Sequence, residues 1–367
     1  MNHRLWRMAP AAALVSFLSL WAASPGRAEA PKPPHKVVTI EGITEYRLDN
    51  GFRILLYPDD STPTVTVVNT VLVGSRLEGY GEMGMAHLLE HLQFKGTPTF
   101  PNIPQLLKEH GASFNATTWL DRTNYFETLP GTEANLEFAL RLEADRLVNS
   151  NIAEKDLSSE MTVVRNEFEM RENEPEGILE ERMMSAAYLW HNYGHSTIGN
   201  RTDIERVPIQ NLQAFYHKYY QPDNAMLVVA GHFDPEKALA DITQTFGALQ
   251  RPKRKLTTSY TEEPPQDGER TVHLRRVGKV GTVGLVYHIP AAAEEDYPAL
   301  KVLNNVLVSE PAGRLYKALV ETKKASEVSG MAYALHDPGV ITFTAQVDPK
   351  NLTEVRDLMI DLVENLG

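Results

Sequence analysis

A chain of 367 residues, 42% hydrophobic and 23% charged, has the composition of a folded protein able to bury a core, which excludes disordered, collagen-like and disulfide-stapled classes. At about 150 residues per domain the length predicts two domains. Asp and Glu (48) outnumber Lys and Arg (36), for a formal net charge of −12, and this balance argues against a nucleic-acid partner, whose phosphates demand clustered positive charge.

The first thirty residues stand apart. His3, Arg4 and Arg7 precede an apolar run from Met8 to Ala23, and Ala28-Glu29-Ala30 supplies an A-x-A cleavage signature. Residues 1–30 therefore read as a secretory signal peptide. The apolar run is shorter than the roughly 20 residues that span a bilayer, so no stable membrane insertion is expected after cleavage. The absence of cysteine fits an oxidising compartment, where there is then nothing to mispair.

Residues 31–39 are rich in proline and basic residues and predict an extended leader. Glu45 to Tyr57 carries Asn50-Gly51 between two strand-like segments, a hairpin signal. Thr64 to Val73 is mostly β-branched and reads as a buried strand. Helical periodicity covers Met85 to Phe94, Ile103 to His110, Thr132 to Val148 and Ser158 to Arg171, with a strand-rich stretch from Ala112 to Leu129. Ala225 to Ala230 reads as a strand and Pro235 to Phe246 as a helix, which gives an α+β domain over 40–250.

Arg251 to Arg270 lacks apolar periodicity and reads as the linker, 251–270. Beyond it the order begins again. Val283 to His288 parallels the Thr64 strand and a helix from Tyr297 to Leu307 parallels Met85 to Phe94, at an offset of about 215 residues. The second domain, 271–367, is the smaller and ends in a helix-like run from Leu352 to Leu366, so it is expected to be truncated, with the chain the N-terminal part of a longer protein.

His87-Leu88-Leu89-Glu90-His91 is the most informative pentapeptide. Helical residues four apart share a face, so His87 and His91 can offer imidazoles to one metal ion while Glu90 leans toward its open position. This is the H-x-x-E-H zinc-helix arrangement. A catalytic zinc needs a third protein ligand, and Glu160, Glu167 and Glu169 on the following long helix are candidates. Glu160 and Glu167 are two turns, about 10.5 Å, apart, so one binds directly and the other supports it; spacing does not say which. The bland alternative is a solvated helix face carrying two histidines and a glutamate.

The sequence resembles the inverzincin peptidases of the M16 family, the pitrilysin, insulin-degrading-enzyme and mitochondrial-processing-peptidase type. Gly74-Ser75-Arg76, Glu78, Gly84 to His91 and Lys95-Gly96-Thr97 are similar to its zinc-helix block. Further similar segments are Gly111 to Thr118 with Asp121, Thr123 and Tyr125, then Tyr193-Gly194 to Ile204, and Tyr219 to Ala225. The resemblance implies two homologous α+β domains, each an antiparallel-rich sheet packed with helices. It implies one Zn²⁺ per chain on His87, His91 and Glu167, with Glu90 as general base and Glu160 supporting catalysis. It further implies an edge strand at Asn115 and Ala116 that pairs with the substrate backbone, and Tyr125 beside it in substrate binding.

The same resemblance implies a zinc metalloendopeptidase acting on oligopeptides or unfolded polypeptides, and with the signal peptide it predicts a secreted enzyme of the bacterial periplasm. In larger members the half without zinc adds an Arg and a Tyr that stabilise the tetrahedral intermediate, and the matching positions here hold Val320 and Glu327. A second M16-like half is therefore an expected partner, as a continuation of the chain or as another polypeptide. The alternative reading is a non-catalytic partner subunit of a two-chain peptidase. Such subunits lose motif residues, whereas all four of His87, Glu90, His91 and Glu167 are present.

Overall fold

The computed structural model describes residues 31–366, and the signal peptide expected over 1–30 lies outside the described residues. A seven-stranded sheet forms from β1 (His35–Ile40), β2 (Ile43–Arg47), β3 (Arg53–Pro58), β4 (Thr64–Val71), β5 (Ser113–Thr118), β6 (Thr123–Pro130) and β7 (Ala225–Gly231). Their order is β1-β2-β3-β7-β4-β6-β5. β3 pairs with β7 in parallel and every other pairing in this sheet is antiparallel. The hairpin predicted around Asn50-Gly51 is β2–β3, with Arg47 opposite Arg53 and Gly51 at φ +99°, where a side chain would be strained.

Most of the stretch read as an extended leader is the edge strand β1. Its Val37-Val38-Thr39-Ile40 run suits a strand, and β2 takes up its backbone groups from Ile40↔Ile43 to His35↔Arg47. β5, at the opposite edge, has β6 alone as its partner.

Helices α1 (Met85–Leu92), α2 (Ile103–Glu109), α3 (Glu133–Asn149), α4 (Glu154–Glu172), α5 (Pro175–Ala187), α6 (Arg201–Arg206), α7 (Ile209–Tyr219) and α8 (Pro235–Thr245) accompany this sheet. Thr132 caps α3, its side chain accepting the Asn135 N–H, as the preference for Thr at such positions dictates. α4 begins four residues before the predicted Ser158, because its first turn is polar. Glu154 and Asp156 there favour the positive helix end but carry no apolar period. Val65, Val67, Leu88, Leu89 and Leu140 are fully buried in one core, and Phe52 stacks on Phe246 with ring centroids 4.4 Å apart.

The stretch between 249 and 280 has no helix or strand. One of its residues, Glu263, is anchored to the first unit, accepting the N–H groups of Leu189, Trp190 and His191 at 2.7, 2.9 and 3.1 Å. The second unit contains β8 (Gly281–Ile289), α9 (Tyr297–Val308), β9 (Ala325–Ala332), β10 (Gly339–Val347) and α10 (Leu352–Glu364), in the sheet order β8-β10-β9. It repeats the arrangement β4-β6-β5, as the offset of about 215 residues leads one to expect. The two units meet where Trp119 stacks on Tyr333 at 5.4 Å and the Tyr188 hydroxyl donates to the Pro338 carbonyl.

Candidate metal centre

α1 divides its residues by burial. Met85, Ala86, Leu88, Leu89 and Leu92 enter the core, which leaves His87, Glu90 and His91 on the remaining face, turned toward α4. Two devices fix the start of this helix. Gly84 has φ +96°, and a Cβ there would lie 2.6 Å from Ile204 Cγ2 and 2.7 Å from the Ile198 carbonyl. The buried Glu78 carboxylate accepts the Gly84 and Ala86 N–H groups, each at 2.8 Å, which supplies partners for two of the free donors of the first turn.

Facing α1, α4 is seated by the fully buried Val164 and by Leu157, and it presents Glu160 and Glu167 across the gap. His87 Nε2 and His91 Nε2 are 3.3 Å apart, and Glu167 Oε2 is 3.5 Å from the first and 3.4 Å from the second. A tetrahedral zinc with bonds of roughly 2.0–2.1 Å spaces its ligand atoms by about 3.3–3.4 Å, so the donor set fits that ion in both identity and spacing. Among the described residues no other group of His, Asp and Glu converges in this way.

Glu160 takes a different place. Its Oε2 is 3.1 Å from His91 Nδ1, on the side of the ring away from the cluster, and its Oε1 pairs with Lys95. Of the two carboxylates that helix spacing left open, Glu167 lies with the histidine nitrogens and Glu160 lies against the opposite side of the His91 ring, outside the group of three converging ligand atoms.

Electrostatics favour the same assignment. Burial, then the neighbouring His91 and Arg171 charges, push His87 down to about 3, so its imidazole is neutral near pH 7 with a lone pair free for a metal. Burial opposes ionisation of Glu160, yet hydrogen bonds from Lys95 and His91 hold it below the ordinary carboxylate value. Burial raises Glu90, with hydrogen bonding from Thr118 working against the rise. A raised carboxylate is suited to accepting and returning a proton.

A cavity of about 370 Å³ opens beside the cluster, lined among others by His87, Glu90, Thr117, Thr118, Glu167 and Arg171. Its wall at Thr117 and Thr118 is the edge strand β5. Asn115 on that strand is exposed, and its own side chain accepts the Ala116 N–H at 2.9 Å, while the Ala116 methyl is buried.

Tyr125 does not bear out the role expected of it. Alternate residues of β6 are buried, which turns Tyr125 into the core at 1% exposure. Its hydroxyl bonds that of Tyr220 at 2.7 Å and the Arg146 guanidinium lies 4.5 Å over its ring. In the second unit Val320 is half-buried and Glu327 is exposed on β9; neither is a cation or a phenol. Sequence reasoning passed over Lys95 as a partner of Glu160, although its Lys95-Gly96-Thr97 block contained it. His191, which no motif marks, is buried and bonds Asp337 of the second unit at 3.0 Å.

Comparison with known proteins bears on the same residues. Residues 53–201 match the family model described as insulinase (peptidase family M16), and residues 206–367 match the one described as the peptidase M16 inactive domain. The zinc protease PqqE of Helicobacter pylori is 31% identical over 361 residues, which is 96% of this chain and 79% of that protein. The chain belongs to the M16 peptidase family. A solved protease from Helicobacter pylori superposes on this M16 chain with TM-score 0.80 and 32% identity, over 90% of this chain and 80% of that one. The periplasmic protease PqqL from Escherichia coli shares the fold at TM-score 0.70 and 21% identity, over 89% of this chain and 38% of that one. The fold is thus that of two M16 domains, and the kinship with zinc proteases supports a zinc-dependent metallopeptidase. The two family models meet near residue 205, yet β7 and α8, which lie beyond that point, belong to the first sheet and its core.

Proposed function

We propose that this M16 chain is a secreted zinc endopeptidase that cleaves internal bonds of oligopeptides or unfolded polypeptides. The observation that carries the reading is the trio of ligand atoms from His87, His91 and Glu167, spaced 3.3–3.5 Å apart beside the Glu90 carboxylate. His87, His91 and Glu167 would hold one zinc ion, which would supply a Lewis acid for the scissile carbonyl and lower the pKa of a bound water.

The chain's own residues do the rest. Glu90, ionised, accepts the proton of the attacking water on its carboxylate and returns it to the leaving amine nitrogen. Glu160 holds His91 Nδ1, which fixes the ring so that Nε2 faces His87 Nε2 and Glu167 Oε2. β5 offers the open edge around Asn115 and Ala116 to an extended peptide, and main-chain hydrogen bonds of this kind bind many sequences. The family resemblance sets an Arg and a Tyr of larger members against Val320 and Glu327, so a second M16-like half completes the site in this reading. The signal-peptide pattern of residues 1–30 supports a place outside the cytoplasm, the bacterial periplasm in this reading; the Escherichia coli relative is itself described as periplasmic.

The test is cleavage of a mixed peptide library, read by mass spectrometry, for wild type and Glu90→Gln with the other half supplied. Internal cuts by wild type alone support the proposal. Zinc bound without cleavage by either protein overturns it.

A further inference from the structure

A polar network joins the second unit to both walls of the candidate site. Asp337, in the turn between β9 and β10, is its hub. Its Oδ2 accepts from Arg76 Nη1 at 3.2 Å and from His191 Nε2 at 3.0 Å. Its N–H donates to the Tyr193 hydroxyl at 3.0 Å. The His191 ring accepts the Tyr193 N–H on Nδ1 at 3.1 Å, so its proton sits on Nε2 and points at Asp337. Arg76 is almost buried, with 11% of its side chain exposed, where a charge-assisted bond counts for more than at the surface.

From these residues two routes lead to the chemistry. Arg76 also donates to Asp121 at 2.6 Å, and Asp121 lies in the β5–β6 turn, which it ties to the Tyr193 hydroxyl at 2.9 Å. That turn ends the strand whose Thr117 and Thr118 line the cavity. On the other side, Asn192, held between His191 and Tyr193, donates to the main-chain carbonyls of Arg76 and Glu78, each at 2.8 Å. Glu78 in turn caps α1 through the Gly84 and Ala86 N–H groups, and Ala86 immediately precedes His87.

We infer that Asp337 is a positioning residue for the metal centre: by docking on Arg76, His191 and Tyr193, the second unit fixes the start of α1 and the β5–β6 turn, and so the relative placement of His87, Glu90 and the peptide-binding edge. The second unit thereby acts on a site to which it contributes no ligand. This rests on the proposed zinc peptidase reading for its catalytic consequence, but the mechanical coupling stands apart from it. The network consists of charged and hydrogen-bonded groups that hold one arrangement, and removing one member shifts the elements it ties together rather than the ion itself.

Two variants of the full chain test this. Asp337→Asn keeps the shape but removes the charge that faces Arg76, and Asn192→Ala cuts the route to Glu78 while leaving every Asp337 contact in place. Amide hydrogen exchange over Met85–Leu92 in the metal-free protein is expected to speed up in both. Zinc affinity by calorimetric titration is expected to fall by about fivefold in each, within the range of coupling through such networks. The d–d spectrum of bound Co²⁺ is expected to change with it. Unchanged exchange and unchanged affinity in either folded variant overturn the inference and leave the network as interface stability alone. So does failure of both variants to fold. A wild type that takes up no zinc, yet shows faster α1 exchange in the variants, overturns the peptidase reading and preserves the coupling.

Discussion

The two units share a course of chain and differ in chemistry. β4, α1, β5, β6 and α3 run as β8, α9, β9, β10 and α10 do, with the second of these strands, β5 or β9, at the edge in each. About 215 residues beyond His87, Glu90 and His91 stand Val302, Asn305 and Val306. Val302 and Val306 are exposed, at 62% and 48%, so the helix face that carries metal donors in one unit is a solvated apolar face in the other. In the first unit α4 brings Glu160 and Glu167 opposite α1. Strand and helix cores thus recur with the apolar pattern. The site needs more: three polar residues on one helix face, a second helix across from it and a carboxylate behind one histidine.

The sharpest way to break this contrast is Glu90→Gln, which removes the proton acceptor and leaves the ligands. Peptide cleavage, measured as kcat/KM, is expected to drop by about 10³-fold with zinc content unchanged. Glu160→Gln removes the charge behind His91, and zinc affinity measured by competition with a chelator is expected to fall by about 10–100-fold.

The third contrast is with pH. The His87 pKa is depressed in the folded chain to about 3, so below its ordinary value of about 6.5 the unfolded chain binds a proton that the folded site refuses. Stability of the metal-free protein contributed at pH 7 is then lost progressively as pH falls from about 6.5 toward 3. Urea denaturation at pH 6.5 and 4.5 is expected to show a loss about 2 kcal/mol greater for wild type than for His87→Gln. The smallest effect belongs to the second unit. Val302→His with Val306→His reproduces the histidine spacing on α9 with Asn305 in place of the glutamate, so stability is expected to change by less than about 0.5 kcal/mol and zinc stoichiometry to stay as in wild type.

Much of this was legible in the sequence, and the residues show why some was not. The strand at Thr64, the hairpin at Asn50-Gly51 and the helices around His87 and Glu160 announce themselves by periodicity, because burial of one face imposes it. The donor set was legible because helix spacing puts His87 and His91 on one side. Which of Glu160 and Glu167 reaches the cluster depends on where α4 crosses α1, a tertiary fact that spacing within one helix cannot hold. Tyr125 came from the family resemblance alone, and it is the alternating burial along β6 that turns its side chain into the core. Asp337 and His191 gave no local signal: their partners lie far away in sequence, at Arg76 and in the other unit.

The central claim is that one unit holds one zinc through His87, His91 and Glu167. Zinc bound per chain, measured by elemental analysis after dialysis for wild type and His91→Ala, tests it most directly. One ion per wild-type chain and none retained by the folded variant is the result predicted. No zinc on wild type, or an equal amount on both, would contradict it.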